Sequence, residues 1–222
     1  MMTITNFLAS CVFLILLFLC LFGYTVLFKK IFINKNNFLF LNLDLFYGII
    51  FLSALSIIFN FFFPLKDISQ ILFTIGIAVS LKYYKYFFKY FYENKFITLI
   101  VLIYLIISSS SGLNWDSRFY HLQYLKWNYE YKIIFGLANL ETRFGFNSIW
   151  HSFSSLFFFN ILNFKPIFLL NLIPISLITN EIFLTKYEKK SFFKLSNLFL
   201  FTSLSFLLIF TIIHPKPLGL FY

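Results

Sequence analysis

The stretch that decides the fold class is residues 6–30, NFLASCVFLILLFLCLFGYTVLFKK. It has no charged residue before Lys29, and about 20 apolar residues suffice to cross the ~30 Å hydrocarbon core of a bilayer as a helix. Two lysines at the end of such a run are typical of an anchor at the membrane surface. Because no basic segment precedes Phe7 and no small-residue cleavage site follows, the stretch predicts a retained transmembrane helix rather than a secretory signal.

The composition extends this interpretation to the whole chain. Of its 222 residues, 60% are hydrophobic, 24% are aromatic and only 12% are charged, with a mean hydropathy of +0.85. A water-soluble domain of this length cannot bury so much apolar surface. The net charge of +10 comes from lysines clustered between apolar runs, a pattern typical of contact with an anionic membrane surface. The expected partner is therefore a lipid bilayer and not nucleic acid.

The apolar runs predict an all-α, polytopic transmembrane bundle of about six crossings. The short run at residues 68–81 is expected to continue into an amphipathic interfacial helix over residues 82–95. The six runs are residues 6–28, 37–63, 68–81, 96–112, 166–185 and 195–213. Lysines cluster in the turns 29–37, 82–95 and 186–194, and the positive-inside tendency places these turns in the cytoplasm.

That orientation requires residues 148–164 to lie on, or dip into, the outer face without crossing. Their serines are expected to keep one end of this segment in contact with water. The N-terminus, the C-terminus and one large loop, residues 113–147, then lie outside the cytoplasm, and this loop carries interfacial helices. The predicted location is the inner (plasma) membrane of a bacterium.

The first polar block of this loop is SGLNWDSRFYHLQYLKWNYEYK, residues 111–132. Asp116 lies near headgroup depth, where a carboxylate can deprotonate an acceptor hydroxyl. The residues alone also allow a solvated aspartate that pairs with Arg118 or caps a helix, and the spacing favours this alternative. His121 can donate to a phosphate or carry a second proton, or it is an ordinary interfacial histidine. The chain has no HExxH or paired His/Cys motif, so no metal site or other cofactor is predicted.

The second polar block is GLANLETRFGFNSIWH, residues 136–151. The guanidinium of Arg143 can clamp a phosphate or pyrophosphate through two hydrogen bonds. The alternative is a headgroup anchor, or a salt bridge to Glu141 or Asp116. Asn139, Asn147 and His151 can line the same pocket as hydrogen-bonding groups.

Isolated polar residues also occur within the apolar runs. Asp44 is expected about two turns inside the second helix, where a charge is costly without a partner or a wet cavity. Glu181 is expected to form an ion pair with Lys186, and Pro174 to kink the fifth helix. Cys11 and Cys20 are nine residues apart and so face opposite sides of a helix, which argues against a disulfide between them.

From residue 97 onward, the order of features resembles that of multi-pass glycosyltransferases of the C type, which use polyprenyl-phosphate sugars as donors. The matching features are a helix (97–110), Asp116 followed by Tyr120-His121, a loop (133–147), a surface helix (148–164) and helices over 167–190 and 195–217. More narrowly, the strings WDSRFYHLQYLKW and GLANL-x-x-RFGFNS-x-W look like an uncharacterised bacterial membrane-protein family related to those enzymes.

The resemblance implies that Asp116 is the catalytic base and that Arg143 and His121, with Tyr120 beside them, bind the phosphate or sugar of a polyprenyl-phosphate donor. It divides the chain into N-terminal transmembrane helices (1–95) and the N-terminal portion of a glycosyltransferase-like unit (96–222). The second acidic residue common in that family is absent beside Asp116, where Trp115 and Ser117 stand. Full enzymes of this type are also longer, so a truncated chain is expected. A transporter or flippase using Asp44 and Glu181, and a non-enzymatic membrane subunit, are the competing interpretations.

Overall fold

The computed structural model describes residues 4–33, 40–94, 96–109, 121–136, 139, 142, 148–160 and 166–188. Within these ranges every regular element is helical, which confirms the predicted all-α class. The α-helices are α1 (Ile4–Phe28), α2 (Leu45–Phe62), α3 (Leu65–Lys82), α4 (Tyr84–Glu93), α5 (Phe96–Ser109), α6 (Leu122–Glu130), α7 (Ile149–Ser155) and α8 (Leu172–Glu188). A short π-helical turn, Lys29–Ile33, continues α1, and a 3-10 turn, Asn42–Asp44, precedes α2.

Helix α1 lies at the centre of the bundle and packs against both α2 and α3. Every residue from Cys20 to Val26 is buried, so in this part the helix has no exposed face. A helix that is apolar on all sides is suited to such a central position. Cys20 is buried and Cys11 is half-buried, and both are free thiols, as their spacing predicted.

Glycines set the distance between α1 and its two neighbours. A Cβ atom on Gly23 would lie 1.9 Å from the carbonyl oxygen of Gly76 in α3, and one on Gly48 in α2 would lie 2.2 Å from the carbonyl oxygen of Leu21. Both contacts are with backbone atoms, which cannot move aside as the end of a side chain can. Small residues allow such close backbone approach, which is the usual basis of helix association in lipid.

One end of the bundle, which we call the lysine end, collects basic residues from the ends of α1 and α3, namely Lys29, Lys30 and Lys82. Lys29 forms an ion pair with Asp44, and Lys30 donates to the hydroxyl of Tyr83 at the junction of α3 and α4. At this junction the chain bends by 84°, so that α4 runs across the end of the bundle. This bend agrees with the predicted interfacial helix. The side chains that α4 buries most deeply are those of Phe87 and Tyr90.

The expected position of Asp44 was wrong. It stands immediately before α2 rather than two turns inside it, because Phe40 and Leu41 precede the 3-10 turn in non-helical conformation. Its carboxylate accepts from the backbone N–H of Leu41 at 2.6 Å in addition to pairing with Lys29. The buried charge therefore has a cation and a backbone donor as partners.

A buried amide network attaches α8 to the lysine end. Asn180 Nδ2 donates to the Oδ1 atoms of Asn42 (2.8 Å) and Asn94 (3.2 Å). Asn42 Nδ2 in turn donates to the carbonyl oxygen of Leu177 (2.6 Å) and to Glu181 Oε2 (3.0 Å). The network joins the starts of α2 and α5 to the middle of α8.

The structure also corrects the expected kink at Pro174. The residue lies in the first turn of α8, where its missing N–H has no intrahelical partner to lose. A 3-10 turn, Pro166–Leu169, precedes α8. Further along α8, Thr179 is hydrogen-bonded to Tyr104 of α5 at 3.0 Å.

Two helical stretches of the described chain, Thr5–Ile33 and Asn42–Phe62, are long and apolar enough to cross a membrane. The bent pair α3–α4 is a third if it is counted as one span, whereas the apolar parts of α5 and α8 are shorter. The predicted run 195–213 lies outside the described residues. In the segment 148–164, the expected contact with water was wrong for Ser152, Ser154 and Ser155, which are buried, whereas Ser148 and His151 are partly exposed.

The close contact of α1 and α3 predicts that Gly23→Ala destabilises the chain by about 2 kcal/mol or more, since the added methyl forces two backbones apart. The matched control is Ala78→Leu, which adds more volume to the exposed side of α3 two residues from Gly76. Thermal unfolding in detergent can be followed by the reaction of Cys20 with a fluorogenic maleimide in a Cys11→Ser background. Equal melting temperatures for the Gly23 variant and the control would contradict this packing.

Candidate functional site

A buried asparagine attaches helix α6 to the end of the bundle opposite the lysine end. Asn60, in the last turn of α2, donates through Nδ2 to the carbonyl oxygens of Asn128 (2.9 Å) and Tyr131 (3.1 Å). Its own carbonyl oxygen accepts from the N–H of Ile133 at 2.9 Å. These bonds satisfy carbonyls that the end of α6 leaves without intrahelical partners, and they fix the end of α6 on α2.

A second attachment of α6 comes from α3. Tyr129 is hydrogen-bonded to Ser69, and its partial burial raises the pKa of its phenol, with the Asp67 and Glu130 carboxylates raising it further. The phenol therefore stays neutral across the physiological range. Tyr124 and Leu125 of the same helix are buried, so α6 lies on the bundle with a defined face inward.

Helix α7 begins directly after Ser148 and carries His151. The Ser148 hydroxyl accepts from the N–H of Trp150 at 3.2 Å, which is the usual role of serine at a helix start. After α7 the chain enters the bundle, where the Phe157 ring packs on Phe13 of α1 and Phe73 of α3, with ring centroids 6.1 and 5.9 Å away. This buried phenylalanine fixes the position of the helix that precedes it.

The two polar blocks meet where α6 and α7 pack together. The rings of His121 and His151 lie 5.1 Å apart between centroids, and the ring of Tyr124 lies 5.5 Å from His151. We call these three residues the histidine cluster. Tyr124 is buried and both histidines are partly exposed, although the Nδ1 atom of His151 is buried.

The chemistry available to this cluster is hydrogen bonding and proton transfer. Each imidazole has two ring nitrogens that donate or accept hydrogen bonds according to its protonation state. Two such rings side by side can hold the oxygens of an anionic group such as a phosphate. Among the residues the structure describes, no three His, Cys, Asp or Glu side chains are grouped to hold a metal ion.

The other predicted site residues are distributed differently. Asn139 lies in an exposed turn, where its N–H donates to the carbonyl oxygen of Gly136 at 2.9 Å, and it is not part of the histidine cluster. Asp116, Tyr120, Arg143 and Asn147 lie outside the described residues. In the sequence, Tyr120 directly precedes His121, and Asn147 directly precedes the serine that begins α7.

Sequence reasoning missed two asparagines that hold helices in place, Asn60 beside this site and Asn42 at the lysine end. Asn60 stands in IIFNFFF and Asn42 in FLNLDLF, each a lone amide within an apolar run. A lone amide in an apolar helix has to find a partner, because an unpaired amide is costly to bury. That rule marks such residues as contact sites, but the partners come from distant segments, α6 and α8, and the spacing in the sequence does not identify them.

A family model described as "Domain of unknown function (DUF8201)" matches residues 7–217. The match covers both polar blocks and nearly all of the helices described above. No curated protein and no solved structure matches the chain.

The attachment of α6 predicts that Asn60→Leu weakens the packing of this helix by about 1–3 kcal/mol, because two buried carbonyls lose their donor. Hydrogen exchange of the Leu122–Glu130 amides is then expected to be faster by roughly 5- to 100-fold. Asn139→Leu, an identical change in an exposed turn, is the control. Unchanged protection of α6 in the Asn60 variant would show that this amide does not hold the helix.

Proposed function

The chain belongs to the family described as Domain of unknown function (DUF8201), and we propose that it is a membrane-embedded, glycosyltransferase-like protein that moves a sugar from a polyprenyl-phosphate donor. The observation that carries this proposal is the contact between His121 and His151. It brings together the described ends of the two polar blocks, residues 121–132 and 148–151. These blocks contain the acidic residue and the arginine that such a reaction uses.

The distance of this site from the lysine end supports an extracytoplasmic location. Asp44 and Asn60 stand at opposite ends of α2 and are 16 residues apart, about 24 Å along a helix. Lys29 pairs with Asp44 at one end of α2, and α6 is attached through Asn60 at the other end. By the positive-inside tendency the lysine end faces the cytoplasm, so the histidine cluster faces outward. The proposed topology has six crossings, with residues 195–213 as the last, in a bacterial inner membrane.

The proposed reaction is transfer of the sugar to an acceptor hydroxyl. The acceptor oxygen attacks the anomeric carbon while Asp116 takes the hydroxyl proton. The bond between that carbon and the phosphate oxygen breaks, and the polyprenyl phosphate leaves with the electron pair. Arg143 and the two histidines bind the phosphate as its charge increases. Tyr120, Asn139 and Asn147 are assigned to hydrogen bonds with the sugar.

The transporter interpretation relies on Asp44 and Glu181, and both have partners that favour a structural role. Asp44 is paired with Lys29, and Glu181 accepts from Asn42 within the network that holds α8. A carboxylate that carries protons during transport has to exchange partners, whereas these two belong to the contacts that fix helix ends. A non-enzymatic membrane subunit is the remaining alternative.

Asp116→Asn is expected to lower glycan transfer by about 100-fold or more, since general bases contribute about 10²–10⁴ in rate. The measurement is transfer from a radiolabelled polyprenyl-phosphate sugar in membranes that contain the variant. Asp67→Asn is the matched control, because Asp67 is exposed in the first turn of α3, near Tyr129 of α6. Transfer by the Asp116 variant at the level of the parent would show that Asp116 is not the general base. If neither variant affected transfer but loss of the chain destabilised another protein, the subunit interpretation would be favoured.

The pairing of Asp44 predicts that Lys29→Met alone destabilises the chain by about 3–5 kcal/mol, because it leaves a buried carboxylate without its cation. The double variant Lys29→Met/Asp44→Asn is expected to recover most of that loss. The measurement is the yield and melting temperature of the purified variants. Loss of proton-coupled uptake in a well-folded double variant would instead support the transporter interpretation.

A further inference from the structure

An apolar groove lies on the outside of the bundle, between α1, α4 and α5. It has a volume of about 390 Å³, within the range of about 300–1,000 Å³ that is typical of ligand sites. Cys11 and Phe18 mark its two ends on α1, Phe88 and Phe91 line it from α4, and Val101 lines it from α5. Phe88 is 66% exposed, so the groove opens to the surroundings of the bundle.

The groove suits a hydrocarbon chain because its lining is almost entirely apolar and it extends about 10 Å along the axis of α1, from Cys11 to Phe18. The groove also runs along α1 and α5, the direction that acyl chains take in a bilayer.

The end of the groove at α4 carries positive charge. Residues 82–94 contain three lysines and one glutamate. Lys85 and Lys89 lie within one helical turn of Phe88, and both are exposed. Glu93 Oε1 lies 3.8 Å from Lys89 Nζ, an exposed pair that is weak in water and leaves the segment with a net positive charge.

From the apolar groove and the lysines at its end, we propose that this site binds one anionic glycerophospholipid. An acyl chain occupies the groove between α1 and α5, and the phosphate of the headgroup is held by Lys85 and Lys89. The 84° bend between α3 and α4 makes this arrangement possible, because it lays the lysines across the end of the groove. The site is at the lysine end of the bundle and is separate from the histidine cluster, so it stands or fails independently of the transferase proposal.

Cys11 offers a direct measure of occupancy. It lines the groove and is half-buried, whereas Cys20, the other cysteine of the chain, is completely buried. Alkylation of the delipidated full chain by N-ethylmaleimide in a non-ionic detergent therefore reports on Cys11. We expect phosphatidylglycerol to slow this alkylation, and phosphatidylcholine with the same acyl chains to slow it much less.

The variants separate headgroup recognition from filling of the groove. Lys85→Gln/Lys89→Gln is expected to weaken protection by phosphatidylglycerol by about 30-fold, since each lysine near an anionic headgroup contributes about a factor of five. Lys66→Gln/Lys126→Gln removes the same charge near α6, where Lys126 forms a comparable exposed pair with Glu130, and is expected to change little. Thr98→Trp, which fills the groove from its exposed edge, is expected to abolish binding of both lipids, measured by native mass spectrometry.

Four results would overturn the proposal. Equal protection by the two lipids, or equal weakening by the two double-lysine variants, would show that Lys85 and Lys89 do not recognise a headgroup. Protection of Cys11 that is complete before lipid is added would assign the groove to another segment of this chain, such as residues 195–213. Protection that rises with protein concentration, without lipid, would assign it to a second copy.

Discussion

The architecture depends on three positions that have no side chain. Gly23, Gly48 and Gly76 bring the backbones of α2 and α3 within contact distance of α1, so that a central helix can be enclosed on both sides. Helices surrounded by lipid gain little from the hydrophobic effect when they associate, and close packing has to supply the attraction. Tyr24 shows how tight this contact is, because its ring lies against Gly76 while its hydroxyl donates to the carbonyl oxygen of Leu72 at 2.8 Å.

Once α1 is enclosed, the two ends of the bundle acquire different chemistry. At the lysine end, short polar turns between helices are held by ion pairs and amides, such as the contacts of Asp44 and Asn42. At the other end, α6 and α7 lie on the bundle and leave two imidazoles partly exposed. The buried ion pair and the amide network are thus at one end of the bundle, and the histidine cluster is at the other.

The class of fold could be predicted because it depends on hydropathy, which is local. The run at residues 6–28 appears as α1 almost unchanged, since nothing in it favours another structure. The position of Asp44 and the absence of a kink at Pro174 could not be predicted, because both depend on where a helix begins. Apolar residues on either side of such a boundary give no signal for it. Likewise, the contact of His121 with His151 depends on Phe157 and Asn60, whose partners lie on other helices.

The amide network has a consequence for how the chain is assembled. Asn42 and Asn180 are 138 residues apart, and translation at roughly 5–20 residues per second separates their synthesis by about 7–28 s. During that interval the nascent bundle holds a buried asparagine whose partners on α8 do not yet exist. Insertion of α8 satisfies this amide and joins the start of α2 to the last described helix, so this contact forms only after the other described helices have been made.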